Sequence, residues 1–148
     1  MAENRGQTKE EVALVVPSHP KYLYVIRSAL YPLVLDAGFG KKEARRIILA
    51  VDEACSNIIK YAYEGDHEKT IGLSIVVGNE ELRITLQDSG KQTDVSNIAP
   101  RKLEDVRPGG LGTHFMKSLF ETVHYDTSGK QGTVLTLVKK IPQGSLAR

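Results

Sequence analysis

Apolar positions in residues 11–16, EVALVV, alternate at Val12, Leu14 and Val16, the period of a half-buried strand, and PSHP ends it. The period then becomes helical. Ser18 is placed as N-cap with Pro20 in the first turn, and Tyr22, Ile26, Leu30 and Leu33 form one apolar face before Gly38 closes the helix. Pro32 falls inside that stretch and predicts a kink. A second helix, about Lys41 to Tyr63, carries Ile47, Val51, Ala54, Ile58 and Tyr61 or Ala62 at helical spacing.

Two alternating runs come next, Ile71 to Val77 and Leu82 to Leu86, joined by Gly78-Asn79-Glu80 as a β-hairpin. Residues 91–108 keep no period and hold two prolines; loops this long in compact domains tend to be functional lids or disordered. PGGLGTHFMKSLFE then reads as a glycine-rich turn opening a helix, and Thr122 to Thr127 with Thr133 to Val138 as a last hairpin. The order β-α-α-β-β-lid-α-β-β predicts an α/β two-layer sandwich, with a mixed sheet covered on one face by helices. Residues 11–141 make one domain with its lid at about 91–112, between flexible ends at 1–10 and 142–148.

Composition narrows the function. Lys plus Arg number 20 against 18 Asp plus Glu, and a balance of +2 gives no electrostatic footprint for nucleic acid or a membrane surface. Small molecules or proteins are the expected partners. One cysteine, Cys55, excludes an intrachain disulfide framework and a cysteine zinc site, and suits a reducing, cytoplasmic setting. The polar start MAENRGQTKEE has no apolar segment behind it, and no run of about 18 apolar residues suggests a membrane span.

The polar exceptions to the pattern hold the candidate chemistry. Glu53 and Asn57, one turn apart in VDEACSNIIKYAYE, fall on the flank of the second helix, where core meets solvent. Downstream stand D-x-G at Asp88 and Gly90, G-G-L-G at Gly109 to Gly112, and G-T at Gly132 and Thr133. Each alone reads as readily as a turn or a helix entry. Together, in this order, they describe a nucleotide site. A glycine-rich turn entering a helix lets backbone N–H groups approach phosphates, and Gly110, Gly112, Thr113 and His114 are placed for that. Asn57 offers a neutral oxygen to Mg²⁺, Asp88 an acceptor for the exocyclic amine of adenine, and Gly90 room for the base or ribose. The four histidines lack metal-ligand spacing, and Cys55 reads as a small buried filler.

This set resembles the GHKL, or Bergerat-fold, ATPases, with their N-box helix, D-x-G box, glycine-box lid and final G-T. VDEACSNIIKYAYEG and RPGGLGTHFMKSLFETVHYD are more narrowly similar to the stand-alone serine kinase anti-sigma factors of the bacterial stress and sporulation type. The resemblance implies ATP and Mg²⁺ as cofactors, with Asn57 as magnesium ligand and Glu53 as general base. It also implies Asp88 as adenine anchor, with Thr133 supporting it through a water. The glycine box, Gly109, Gly110, Leu111, Gly112 and Thr113, would hold the phosphates, and Arg101, Lys102 or Arg107 would neutralise the transferring phosphoryl group. Lys91 and Gln92 follow Gly90 where many relatives have a second glycine, which implies either slightly different adenine binding or a stiffer lid hinge.

The implied partners are a sigma factor and a STAS-domain anti-anti-sigma factor whose serine is phosphorylated, with self-association by family analogy. The alternative is a non-catalytic module in which ATP only orders the lid and tunes affinity for a partner. A sensor histidine kinase needs a phospho-acceptor His on an upstream helix pair, which this sequence is not expected to supply.

Overall fold

The computed structural model describes residues 10–92 and 115–143. Most of the expected flexible ends and of the expected lid therefore lie outside the described residues, while Glu10, expected in the flexible N-terminus, begins β1. The chain runs through β1 (Glu10–Pro17), a 3₁₀ turn (Pro20–Tyr22), α1 (Leu23–Ala37) and α2 (Lys41–Asn57), which continues as a π turn over Ile58–Ala62. After β2 (Thr70–Val77) and β3 (Glu81–Asp88), residues 115–119 are helical, and β4 (Thr122–Asp126) and β5 (Thr133–Lys140) complete the sheet.

The first helix starts later than its sequence suggests. Ser18 is fully buried and does not cap a helix: its hydroxyl donates to Asp66 O at 2.7 Å and accepts from Lys69 N–H at 3.1 Å, tying the end of β1 to the approach to β2. His19 caps the 3₁₀ turn instead, its Nδ1 accepting from Lys21 N–H at 3.1 Å. The buried face of α1 is Leu23, Ile26, Leu30, Val34 and Ala37, so Val34 takes the core position expected of Leu33. Gly38 ends the helix with φ +117°, a left-handed conformation that a residue with a Cβ adopts at a cost.

The strands lie in the order β1-β2-β3-β5-β4, and all four pairings are antiparallel. The two-layer α/β architecture stands, but the sheet is not mixed. β1, β3 and β4 do run the same way, yet β2 and β5 lie between them, so no two parallel strands are neighbours.

One face of the sheet is apolar because the strand period of two puts alternate residues on it. Leu73 pairs with Leu86 and Ile75 with Ile84, and the rows extend to Leu135 and Leu137 on β5. With the buried faces of α1 and α2 they form a single core. Each fully buried Leu or Ile contributes about 1.5–3 kcal/mol relative to exposure. The last row of this apolar face is polar: Asp88 pairs with Thr133.

Candidate functional site

Glu53 and Asn57 both lie on α2 and are half-buried. Neither side chain makes a hydrogen bond or an ion pair among the described residues, so a carboxylate and an amide one turn apart are free for a ligand. Asp52 beside them is held differently. Its carboxylate accepts from Arg27 of α1 at 2.6 Å, a half-exposed pair that contributes at most about 1 kcal/mol and chiefly fixes the two helices against each other.

Asn57 is also where the α-helix changes gait. Over Ile58–Ala62 the helix widens to π geometry, and Tyr63 N–H donates to Ile58 O at 2.9 Å. The extra residue per turn rotates the side chains beyond it. Of the two residues offered for the end of the core stripe, Tyr61 is 47% exposed while Ala62 packs partly buried against the core, and Tyr63 beyond them is buried at 5%. The wide turn also leaves Ala62 O to accept from Lys91 N–H at 2.8 Å, joining the end of the helix to the turn after β3.

That turn is Asp88-Ser89-Gly90. Gly90 N–H donates to Asp88 Oδ1 at 2.9 Å, and Ser89 N–H donates to the Tyr63 hydroxyl at 2.9 Å, which itself donates to Thr70 O. Gly90 is a glycine because of its own chain. A Cβ there would collide with the Ala62 carbonyl and come within 2.8 Å of the Tyr63 ring. The side of Gly90 on which a Cβ would lie is thus filled by the end of the π turn.

Gly132 explains the first half of G-T in the same way. Its φ is +83°, its N–H donates to Gly90 O at 3.0 Å, and a Cβ would strike Asp88 O. Thr133 is the second half, 8% exposed, with an Oγ1 that is buried and has no hydrogen-bond partner among the described residues. A buried hydroxyl left unpaired costs about 1–3 kcal/mol, which marks it as open to a further partner. Burial raises the Asp88 carboxyl above its ordinary value, while the backbone amides of Gly90 and Thr133 pull the other way. A buried acceptor beside an unpaired hydroxyl fits the edge of a base whose amine donates and whose ring nitrogens reach a water.

Gln92, at the position after Lys91 where relatives were expected to have glycine nearby, points its side-chain amide at three carbonyls, Thr127 at 2.9 Å, Gly129 at 2.6 Å and Gly132 at 3.1 Å. It fastens the turn after β3 to the β4–β5 hairpin. A groove of about 520 Å³ runs along the outer side of the turn past Tyr63, Ser89, Gly90 and Gln92; Glu53, Asn57, Asp88 and Thr133 do not line it. On the other side, Lys139 of β5 meets Glu43 of α2 at 3.0 Å and donates to Leu119 O at 2.8 Å, and the Arg46 guanidinium lies 5.7 Å from the Phe115 ring centre. Residues 115–119 are anchored there to α2 and β5.

The structure thus joins Gly90, Asp88 and Thr133 through hydrogen bonds and strand pairing. Asn57 lies at the start of the π turn whose end holds the Asp88-Ser89-Gly90 turn, and Glu53 one helical turn before Asn57. Arg107, Gly109, Gly110, Leu111, Gly112 and Thr113, with Arg101, Lys102 and His114, lie outside the described residues. Sequence reasoning missed Tyr63 and Gln92. The only sign of Tyr63 is an aromatic at the end of an apolar helix, and of Gln92 its place next to D-x-G. Cys55 is the buried filler expected, its thiol pushed up to about 12 by burial first and by the Asp52 charge second.

These elements define an ATP-binding class. The chain belongs to the histidine kinase-like ATPase domain family, whose pattern matches residues 16–139, from the end of β1 to the end of β5. Within that family it is similar to serine-protein kinases. Serine-protein kinase RsbW of Bacillus subtilis (strain 168) is 28% identical over 120 residues, 76% of this chain and 75% of that one. The protein of the same name from Halalkalibacterium halodurans is 26% identical over 143 residues, 91% and 86% of the two chains. Among solved structures, the SiaB–SiaC complex from Pseudomonas aeruginosa contains a chain that superposes with a TM-score of 0.63 at 13% identity. The superposition covers 86% of this chain and 88% of that one, and it bears on the fold alone.

Proposed function

We propose that this protein is an ATP- and Mg²⁺-dependent serine kinase and anti-sigma factor, which binds a sigma factor and phosphorylates a serine of a STAS-type anti-anti-sigma partner. Its enzyme class, a serine-protein kinase, rests on relatives that match over most of both chains. The observation that carries the site is the polar end of the β3–β5 rows, where Asp88 sits beside an orphaned Thr133 hydroxyl. When bound, ATP supplies the phosphoryl group and Mg²⁺ the charge that offsets its oxygens.

The residues of the chain then divide the work. Asp88 accepts from the exocyclic amine of adenine and so orients the base, and Thr133 Oγ1 bonds a water at the ring edge. Asn57 would hold the metal through its amide oxygen. Glu53 would accept the proton of the substrate serine as its oxygen bonds to the γ-phosphorus and the bond to the ADP oxygen breaks, ADP being the leaving group. Gly109, Gly110, Leu111, Gly112 and Thr113 would hold phosphate through backbone N–H groups, and Arg101, Lys102 or Arg107 would balance the charge on the transferring group.

The partners are proteins, and the setting is the cytoplasm; among the described residues no helix is long and apolar enough to cross a membrane. The domain is residues 11–141, with its lid at about 91–112. The test incubates the protein with ATP labelled in its γ-phosphoryl group and a purified STAS-domain partner. Phosphoserine on the partner is expected, falling by about 10²–10⁴-fold in Glu53→Gln with nucleotide affinity kept. ATP binding without any phosphoserine from the wild type would leave only a binding module.

A further inference from the structure

We infer that Tyr63 is a positioning residue for base selection: its hydroxyl sets the Asp88-Ser89-Gly90 turn so that the Asp88 carboxylate favours adenine over guanine. The inference rests on the nucleotide reading of the site given under the proposed function. An ionised carboxylate only accepts hydrogen bonds. It therefore favours a base presenting an amine, as adenine does at C6, and repels the carbonyl that guanine presents there. That preference is only as sharp as the carboxylate is fixed.

The fixing comes from behind the turn. The Tyr63 hydroxyl has one proton, which goes to Thr70 O at the start of β2, and it accepts the Ser89 N–H at 2.9 Å; Ser89 Oγ stands 3.4 Å away. The Tyr63 ring occupies the side of Gly90 where a Cβ would lie. Tyr63 thereby joins three pieces that are distant in sequence: the end of the π turn, the first residue of β2 and the middle of D-x-G. Without the hydroxyl, Ser89 N–H and Thr70 O lose a shared partner, and the residue after Asp88 is free to turn. Gly90 N–H holds Oδ1 only if the turn keeps its shape.

The direct test is Tyr63→Phe, which keeps the ring and removes the two hydrogen bonds, with dissociation constants for ATP and GTP measured by calorimetry on both proteins. The expected result is an ATP affinity about three- to tenfold weaker, the worth of one hydrogen bond, with GTP little changed, so that the preference narrows by that factor. A residue that merely supports the fold would weaken both nucleotides equally or neither, and an unchanged ATP-to-GTP ratio overturns the inference. If the wild type binds neither nucleotide, the site reading itself falls and this inference with it. A wild type that prefers ATP beside a variant that still prefers it equally removes only the role of Tyr63.

Amide hydrogen exchange on the wild type needs no variant. The Ser89 N–H should exchange slowly before nucleotide is added, because its partner is already in place. Fast exchange in the nucleotide-free protein would overturn the inference.

Discussion

Asp88 and Thr133 face each other across β3 and β5 on the side of the sheet that the helices cover, at the end of rows otherwise made of Leu and Ile. The carboxylate is supplied with backbone donors, and the threonine hydroxyl has no partner among the described residues. A core ends here in two polar groups of unequal satisfaction.

Thr133→Val keeps the shape of the side chain and removes the unpaired oxygen. Stability should rise by about 1 kcal/mol, since no hydrogen bond is lost and an orphaned hydroxyl is removed. ATP affinity should fall several-fold. Urea unfolding and calorimetry on the one variant check both, and a loss of stability would mean that the hydroxyl has a partner within the chain.

Asp88 gives a pH signature. Burial raises its carboxyl in the folded protein, so the group favours folding below the ordinary carboxylate range, and that contribution is lost as the pH rises through the raised value. In its ionised form it weighs against the fold. Asp88→Asn should therefore be at least as stable as the wild type at pH 7, with the difference shrinking towards pH 4, while adenine selectivity is lost. Urea midpoints at the two pH values decide it, and a difference that grows on acidification contradicts the sign.

Gly90→Ala places a methyl group against the Ala62 carbonyl, held by Lys91 N–H, and the Tyr63 ring, held through its hydroxyl by Thr70 O and Ser89 N–H. Destabilisation of more than about 2 kcal/mol is expected, from backbone overlap alone. Gln92→Ala should cost about 1–3 kcal/mol by leaving three carbonyls without their donor. Thermal unfolding of both without nucleotide separates these structural losses from any loss of binding.

Cys55 should be silent. It is fully buried, and its thiol loses a proton only at about pH 12. A thiol reagent at pH 8 should leave the native protein unlabelled and should react at the rate of unfolding once urea is added. Rapid labelling without urea would show that the α2 core opens locally.

The strand runs were legible because the period of two is short and each run is closed by a turn, as at Gly78-Asn79-Glu80. Glu53 and Asn57 were legible as polar exceptions on an apolar helix. The π turn was not, since Ile58 to Ala62 satisfy a 3.6 period as well as a wider one, and only the placing of Tyr63 decides between them. Ser18 misled because an N-cap and a buried bridge ask for the same small hydroxyl. The approach of the Ala62 carbonyl to Gly90 was not legible, because that carbonyl comes from another element and leaves no mark near Gly90 in sequence. The sheet was expected to be mixed because strand order cannot be read from strand existence.

Asn57 stands at the start of the π turn, and at its end Ala62 and Tyr63 grip the D-x-G turn. Under the proposed roles, the metal and the base are thus gauged from opposite ends of one five-residue coil, and the span between them is a matter of counting rather than of chemistry. Substitutions at the exposed Lys60 or Tyr61 should pass unnoticed, whereas removing a single residue from 58–62 would shorten the ruler and put both ends out of true.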